Sequence, residues 1–167
     1  MIKAFQIPGV PENSEIEGFD LQKVGDVIVA AWADRGDGEE PAVLTSSKFD
    51  PATNEFSETH SAKIHVPWPE NEARDVSDLK IDQAGVVFIS SAFDGGDDGP
   101  FASAVYTAGA FHSEGGEIGF TQNPALTRLY HFEGRKIEAL ELVPGRDGGI
   151  IFGTDDENLG SAVYLGW

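Results

Sequence analysis

With 167 residues and 17.9 kDa, the chain has room for an apolar core and one ordinary domain, and too little for a multidomain enzyme. Its 29 Asp and Glu against 11 Lys and Arg leave a formal charge of −18, which repels nucleic acid over most of the surface, while 40% hydrophobic residues and 11 Phe are too many for a disordered acidic tail. Cysteine is absent, which excludes disulfides, thiolate metal sites and cysteine nucleophiles and fits a cytoplasmic location; no run approaches the ~20 apolar residues of a membrane span, and the first eight residues lack a signal-peptide core.

Read in chain order, short strand-like runs recur at regular spacing. Lys3 to Ile7 precedes Pro8 and opens the series. Ile16 to Leu21 follows, then Gly25, then Val27 to Asp34, an acidic glycine-containing loop, and Ala42 to Leu44. Lys63 to Val66, before Pro67, repeats the opening run, and Pro69-Glu70-Asn71 repeats Pro11-Glu12-Asn13. Val76 to Ile81, Gly85, Val86 to Asp94, a second acidic loop and Ala104 to Tyr106 form the second copy. Leu129 to Phe132, Ile137 to Leu142, Gly148 to Asp155 and Ala162 to Leu165 form the third. The spacing from Leu21 to Asp34, Ile81 to Asp94 and Leu142 to Asp155 is 13 each time. The repeat units span roughly 1–48, 63–110 and 126–167 of a single domain.

No 3.6-residue apolar period is long enough for a substantial helix, so the fold class is all-β. The second run of each unit is continuously apolar rather than alternating, which requires both faces of that strand to be covered. Four-stranded units of this kind at fixed period are the signature of β-propeller blades, and a propeller closes with roughly 4–8 of them. Three blade-like repeats are therefore half of a six-bladed ring completed by homodimerisation, in which Lys3 to Ile7 of each copy pairs with Ala162 to Leu165 of the other. A three-unit sandwich or prism of the same strands is the alternative. The connections from Thr45 to Ala62 and from Thr107 to Ala125 read as solvated surface loops.

Acid is concentrated in loops expected to share one face, which would gather cations. Asp34, Asp94 and Asp155 end the second strands, and Glu17 and Glu138 align with Ser77 near the start of the first. Carboxylates suit a hard ion such as Ca2+, although Asp and Gly also occupy such loops for turn geometry alone. Trp32 and Phe93 lie beside the acidic loops, where they would stack on a flat ligand or pack between blades, and Ser77 completes the candidate ligand set. The basic residues on this face are few, namely Arg35, Arg74, Arg135 and Lys136. His60, His65, His112 and His131 fall in no metal-ligand motif, and no nucleophile elbow or phosphate loop occurs, so no catalytic residue is assigned.

Glu17-Gly18-Phe19 and Glu138-Ala139-Leu140, each opening a strand that is followed by a glycine and an apolar run ending in Asp, resemble blades of the gluconolactonase and regucalcin propellers and of esterase-like phytases. The resemblance implies a six-bladed ring and a divalent-cation ligand at Glu17 or Glu138. Two functions are expected from these readings: a non-enzymatic binding scaffold with an acidic, calcium-binding face, or a metal-dependent hydrolase of lactones or phosphoesters at the channel mouth.

Overall fold

The computed structural model describes residues 4–70, 73–145 and 148–166, and these form three antiparallel sheets. The first contains β1 (Ile16–Val24), β2 (Val27–Asp34), β3 (Ala42–Asp50), the two-residue β4 (Glu55–Phe56) and β5 (His60–Ile64), with β4 and β5 both pairing with β3. The second runs β6 (Arg74–Ile81), β7 (Val86–Asp94), β8 (Phe101–Glu114) and β9 (Glu117–Glu133) in that order. The third has three strands, β10 (Ile137–Leu142), β11 (Ile150–Thr154) and β12 (Val163–Gly166). Among the described residues the only helical turn is a 3-10 turn at Glu157–Leu159, and no helix is long and apolar enough to cross a membrane.

The sheets meet through their first strands, β1 against β6 and β6 against β10. Gly18 permits the first contact, since a Cβ there would lie 2.9 Å from the backbone nitrogen of Leu79. An aspartate stitches each junction. Asp20 Oδ2 accepts the Ile81 N–H at 2.8 Å, and Asp78 Oδ2 accepts the Leu140 N–H at 2.7 Å. Burial pushes the Asp78 carboxyl above its ordinary range, against the pull of the Leu140 and Leu79 amides and of Lys80.

These junctions hold the core. Val29, Ala31, Leu44 and Ile64 of the first sheet pack on Val76, Leu79, Val87, Ile89 and Tyr106 of the second. The other face of the second sheet, with Val105, Phe88 and Phe132, packs on Ile137, Leu140, Ile150 and Phe152 of the third. The continuous apolar run of β7 is explained by this arrangement, because alternate side chains enter different cores. In β2, Val29 and Ala31 face the second sheet, while Ala30 and Trp32 face outward with Phe49.

Two expectations are corrected. The stretch from Thr107 to Ala125 is not a solvated loop: β8 and β9 continue through it as a long hairpin that turns at Gly115 and Gly116, with φ of +62° and +83°. Its Phe111, Ile118 and Phe120 join the core between the first two sheets. Likewise β3 runs on to Asp50 and pairs with β4, so part of the stretch from Thr45 to Ala62 is strand. The strand expected from Lys3 to Ile7 needs a second copy as its partner, and the single chain does not test it. Lys3 lies outside the described residues, and residues 4–7 form no strand in the single chain. Instead Phe5 stacks on Phe49 at 5.8 Å, and Ile7 packs on the outer cluster of Ala30, Trp32 and Phe49.

Both end sheets keep an unpaired apolar face. Phe19 and Leu21 stand opposite Trp32 and Ala30 in the β1–β2 ladder and are 37% and 42% exposed. On the third sheet Ile151 stands opposite Leu165, and Val163 opposite Gly153, on the face that alternates away from Ile150 and Phe152; Val163 is 75% exposed.

Candidate functional site

The start of the three first strands carries the densest set of charges. In β1 the ladder to β2 slips between Ile16 and Gly18, so that Glu17 is the extra residue of a β-bulge. The same slip occurs in β10 between Ile137 and Ala139, with Glu138 as the extra residue. A bulge re-aims the side chain it carries, and both glutamates turn toward Arg74 at the start of β6. Arg74 Nη1 lies 2.9 Å from Glu138 Oε1 and 3.7 Å from Glu17 Oε1, while Nη2 lies 3.4 Å from Asp94 Oδ2. One guanidinium thus joins all three sheets.

The network extends on either side. Arg35 Nη1 donates to Glu17 Oε1 at 3.1 Å and also pairs with Glu15. Lys136, whose side chain is buried, pairs with Asp94 at 3.2 Å, with Glu138 at 3.4 Å and with Glu157. Burial works against the Lys136 ammonium, but Glu157, Glu138 and Asp94 outweigh it and raise its pKa above the ordinary lysine value. For Asp94, burial is likewise outweighed, by the Gly96 amide, Lys136 and Arg74, and its carboxyl titrates below its usual range. Burial pushes Glu138 upward, with Lys136 and Arg74 pulling against it.

Of the expected metal ligands, Glu17, Glu138 and Asp94 are therefore brought together, around cationic side chains. Asp34 is occupied in its own turn, where its Oδ1 accepts from Gly36 N–H, and Asp155 is exposed, its amide donating to the Lys136 carbonyl. Among the described residues no three His, Asp or Glu side chains are grouped to hold a metal ion.

The expected ligand contacts are distributed differently. Trp32 is 1% exposed and sits edge-on to Phe56, so it offers no free face in the single chain. Phe93 is half-buried in β7. Ser77 is buried and holds a junction: its Oγ donates to the Ile137 carbonyl at 2.8 Å and lies 3.0 Å from the Ser90 hydroxyl. Among the described residues its hydroxyl partners are the Ile137 carbonyl and the Ser90 hydroxyl, with no histidine against it.

Two of the acids expected on the cation-gathering loop face, Asp75 and Asp156, are buried instead. Asp75, 1% exposed, accepts the amides of Val66 and Ala42 and lies 3.0 Å from His65 Nδ1. These bonds take the Val66 amide out of the ladder and end β5 at Ile64. Asp156 accepts from the Lys136 amide, Arg135 and Thr154. A readable signal for the network itself was present, because a basic residue sits at or just before the start of the first strand in the second and third repeats, as Arg74-Asp75-Val76 and Arg135-Lys136-Ile137.

No family model, curated protein or solved structure matches the chain.

Proposed function

We propose that the chain is half of a six-bladed β-propeller completed by a second copy, and that the ring is a non-catalytic binding scaffold for a small ligand or a protein. One observation carries this reading. Sheet packs on sheet twice through the same kind of apolar face, and on the two outer faces Phe19 and Leu21 at one end and Ile151, Val163 and Leu165 at the other stay exposed, while Ile7 and Phe56 cover the Ala30 and Trp32 part of the first. Contiguous exposed apolar faces of this kind mark association surfaces. Joining the first sheet of one copy to the third sheet of another makes a third junction of the same type, and two such joins close a ring of six.

The charge network favours binding over hydrolysis. Glu17, Glu138 and Asp94 have Arg35, Arg74 and Lys136 as counter-charges, so the reading assigns them no calcium and no general acid or base role. What remains free for ligands is the surrounding acidic loop surface, which selects cationic or neutral partners. The lack of cysteine suits a scaffold working in the reducing cytoplasm. The test pairs mass with substitution at each end face. Leu21→Asp and Val163→Asp alter exposed positions, so each is expected to leave the strand content intact and to lower the solution mass to that of one chain. A wild-type chain that is monomeric at high micromolar concentration overturns the proposal.

A further inference from the structure

The first and second sheets both end on a strand antiparallel to the third of the set, β5 on β3 and β9 on β8, but the third sheet stops at β12. Its outer edge is unpaired among the described residues. We propose that residues 4–7 of a second copy fill this position as its fourth strand, so that assembly exchanges an N-terminal strand in each direction. The inference rests on the ring reading above.

The occupant is identified by sequence and by place. Ala4-Phe5-Gln6-Ile7 before Pro8 repeats Lys63-Ile64-His65-Val66 before Pro67, whose first two residues end β5 of the first sheet, and Leu129-Tyr130-His131-Phe132, which lie in β9 of the second. In the single chain the segment makes no ladder. It lies on the outer face of the first sheet, with Phe5 still 44% exposed against Phe49 and Phe56. That sheet is at one end of the stack and β12 at the other, with the second sheet between them, so the segment does not complete its own third sheet. The junction of two copies, however, sets the outer face of one copy's first sheet against the other copy's third sheet. It therefore brings residues 4–7 beside the partner's β12. Moving off the Ala30, Trp32 and Phe49 cluster, the segment uncovers the face that Ile151 and Val163 are to meet and satisfies the edge that bears them. One displacement serves both contacts.

The cysteine-free chain allows a direct test. In the first sheet Val43 pairs with Lys63, which sets Ala4 of the partner opposite Val163; in the second Val105 pairs with Tyr130, which sets Ala4 one residue along and still beside Val163. Ala4 and Val163 are both exposed, so cysteine is tolerated at each. A mixture of Ala4→Cys and Val163→Cys chains, mildly oxidised and run on a non-reducing gel, is expected to give a covalent heterodimer at least ten-fold more abundant than Ala4→Cys mixed with Asp26→Cys, a control in the β1–β2 turn. Gln6→Pro, at the position that His131 fills in the β8–β9 ladder opposite Ala104, is expected to raise the dimer dissociation constant at least ten-fold while leaving the monomer's unfolding midpoint unchanged. A two-chain mass without selective cross-linking, or a cross-link formed within one chain of the double variant, overturns strand exchange while the ring reading stands or falls on mass alone.

Discussion

Replacing Arg74 by methionine removes a side chain that pairs with carboxylates of all three sheets and keeps a stem of similar length. The Glu138 contact at 2.9 Å is a charged hydrogen bond, a class that contributes about 1.5–3 kcal/mol. Contacts to Asp94 at 3.4 Å and Glu17 at 3.7 Å join groups that are about a quarter exposed and add about 0.5 kcal/mol each. The stranded carboxylates are not orphaned. Lys136 remains near Asp94 and Glu138, and Arg35 near Glu17, which keeps the loss below the 3–5 kcal/mol typical of stripping a fully buried pair. Arg74→Met is therefore expected to lower unfolding stability by about 2–4 kcal/mol. Urea unfolding at fixed protein concentration, followed by far-UV circular dichroism and tryptophan fluorescence together, measures this. A double-mutant cycle with Glu138→Gln isolates the direct pair. A loss under about 0.5 kcal/mol with no coupling would refute the view that this network ties the sheets together.

Other outcomes follow from the same geometry. Gly18→Val, which drives a branched side chain into the Leu79 backbone, is expected to cost about 1–3 kcal/mol or to separate the first sheet from the second; thermal unfolding reports the first and limited proteolysis the second. Asp94 has a folded pKa below its unfolded value near 3.8, so its contribution is present above that pH and lost as pH falls through the folded value; Asp94→Asn should flatten the acid limb of stability against pH. Lys136 has a folded pKa above its unfolded value near 10.5, so its contribution is complete below that pH and is lost as pH rises through the folded value; Lys136→Met should remove this alkaline loss. Calorimetric titration with calcium is expected to show no saturable site at Glu17 and Glu138 of the wild-type chain, and a saturable site abolished by Glu17→Gln or Glu138→Gln would contradict the assignment of those carboxylates to Arg74 and Lys136.

The strand order was legible because periodicity reflects burial. Val27 to Ala31 and Val86 to Ile89 are apolar at every position since both of their faces are covered, and the constant spacing of 13 spans one β-hairpin and its turn. Long-range pairing left weaker marks. The β8–β9 extension looked like loop because its polar Ser, Thr, Glu and Gly residues alternate with only a few aromatics, and the tight turn at Gly115-Gly116 sits in a stretch of mixed composition. At the candidate site, the positions of Glu17 and Glu138 were readable from alignment of the repeats, but their role was not. Bulges do not appear in composition, and the counter-ion that the two share, Arg74, comes from another sheet, 57 residues from Glu17 and 64 from Glu138. Trp32 shows the same limit from the other side, since a Trp beside an acidic loop reads alike whether it meets a ligand or, as here, Phe56.

The central claim is that one chain is half of a closed assembly, and its most direct test is the mass of the wild-type protein in solution. Light scattering coupled to size exclusion at micromolar concentration is expected to return twice the chain's 17.9 kDa, in a single species. A mass of one chain that persists as concentration is raised would contradict the account.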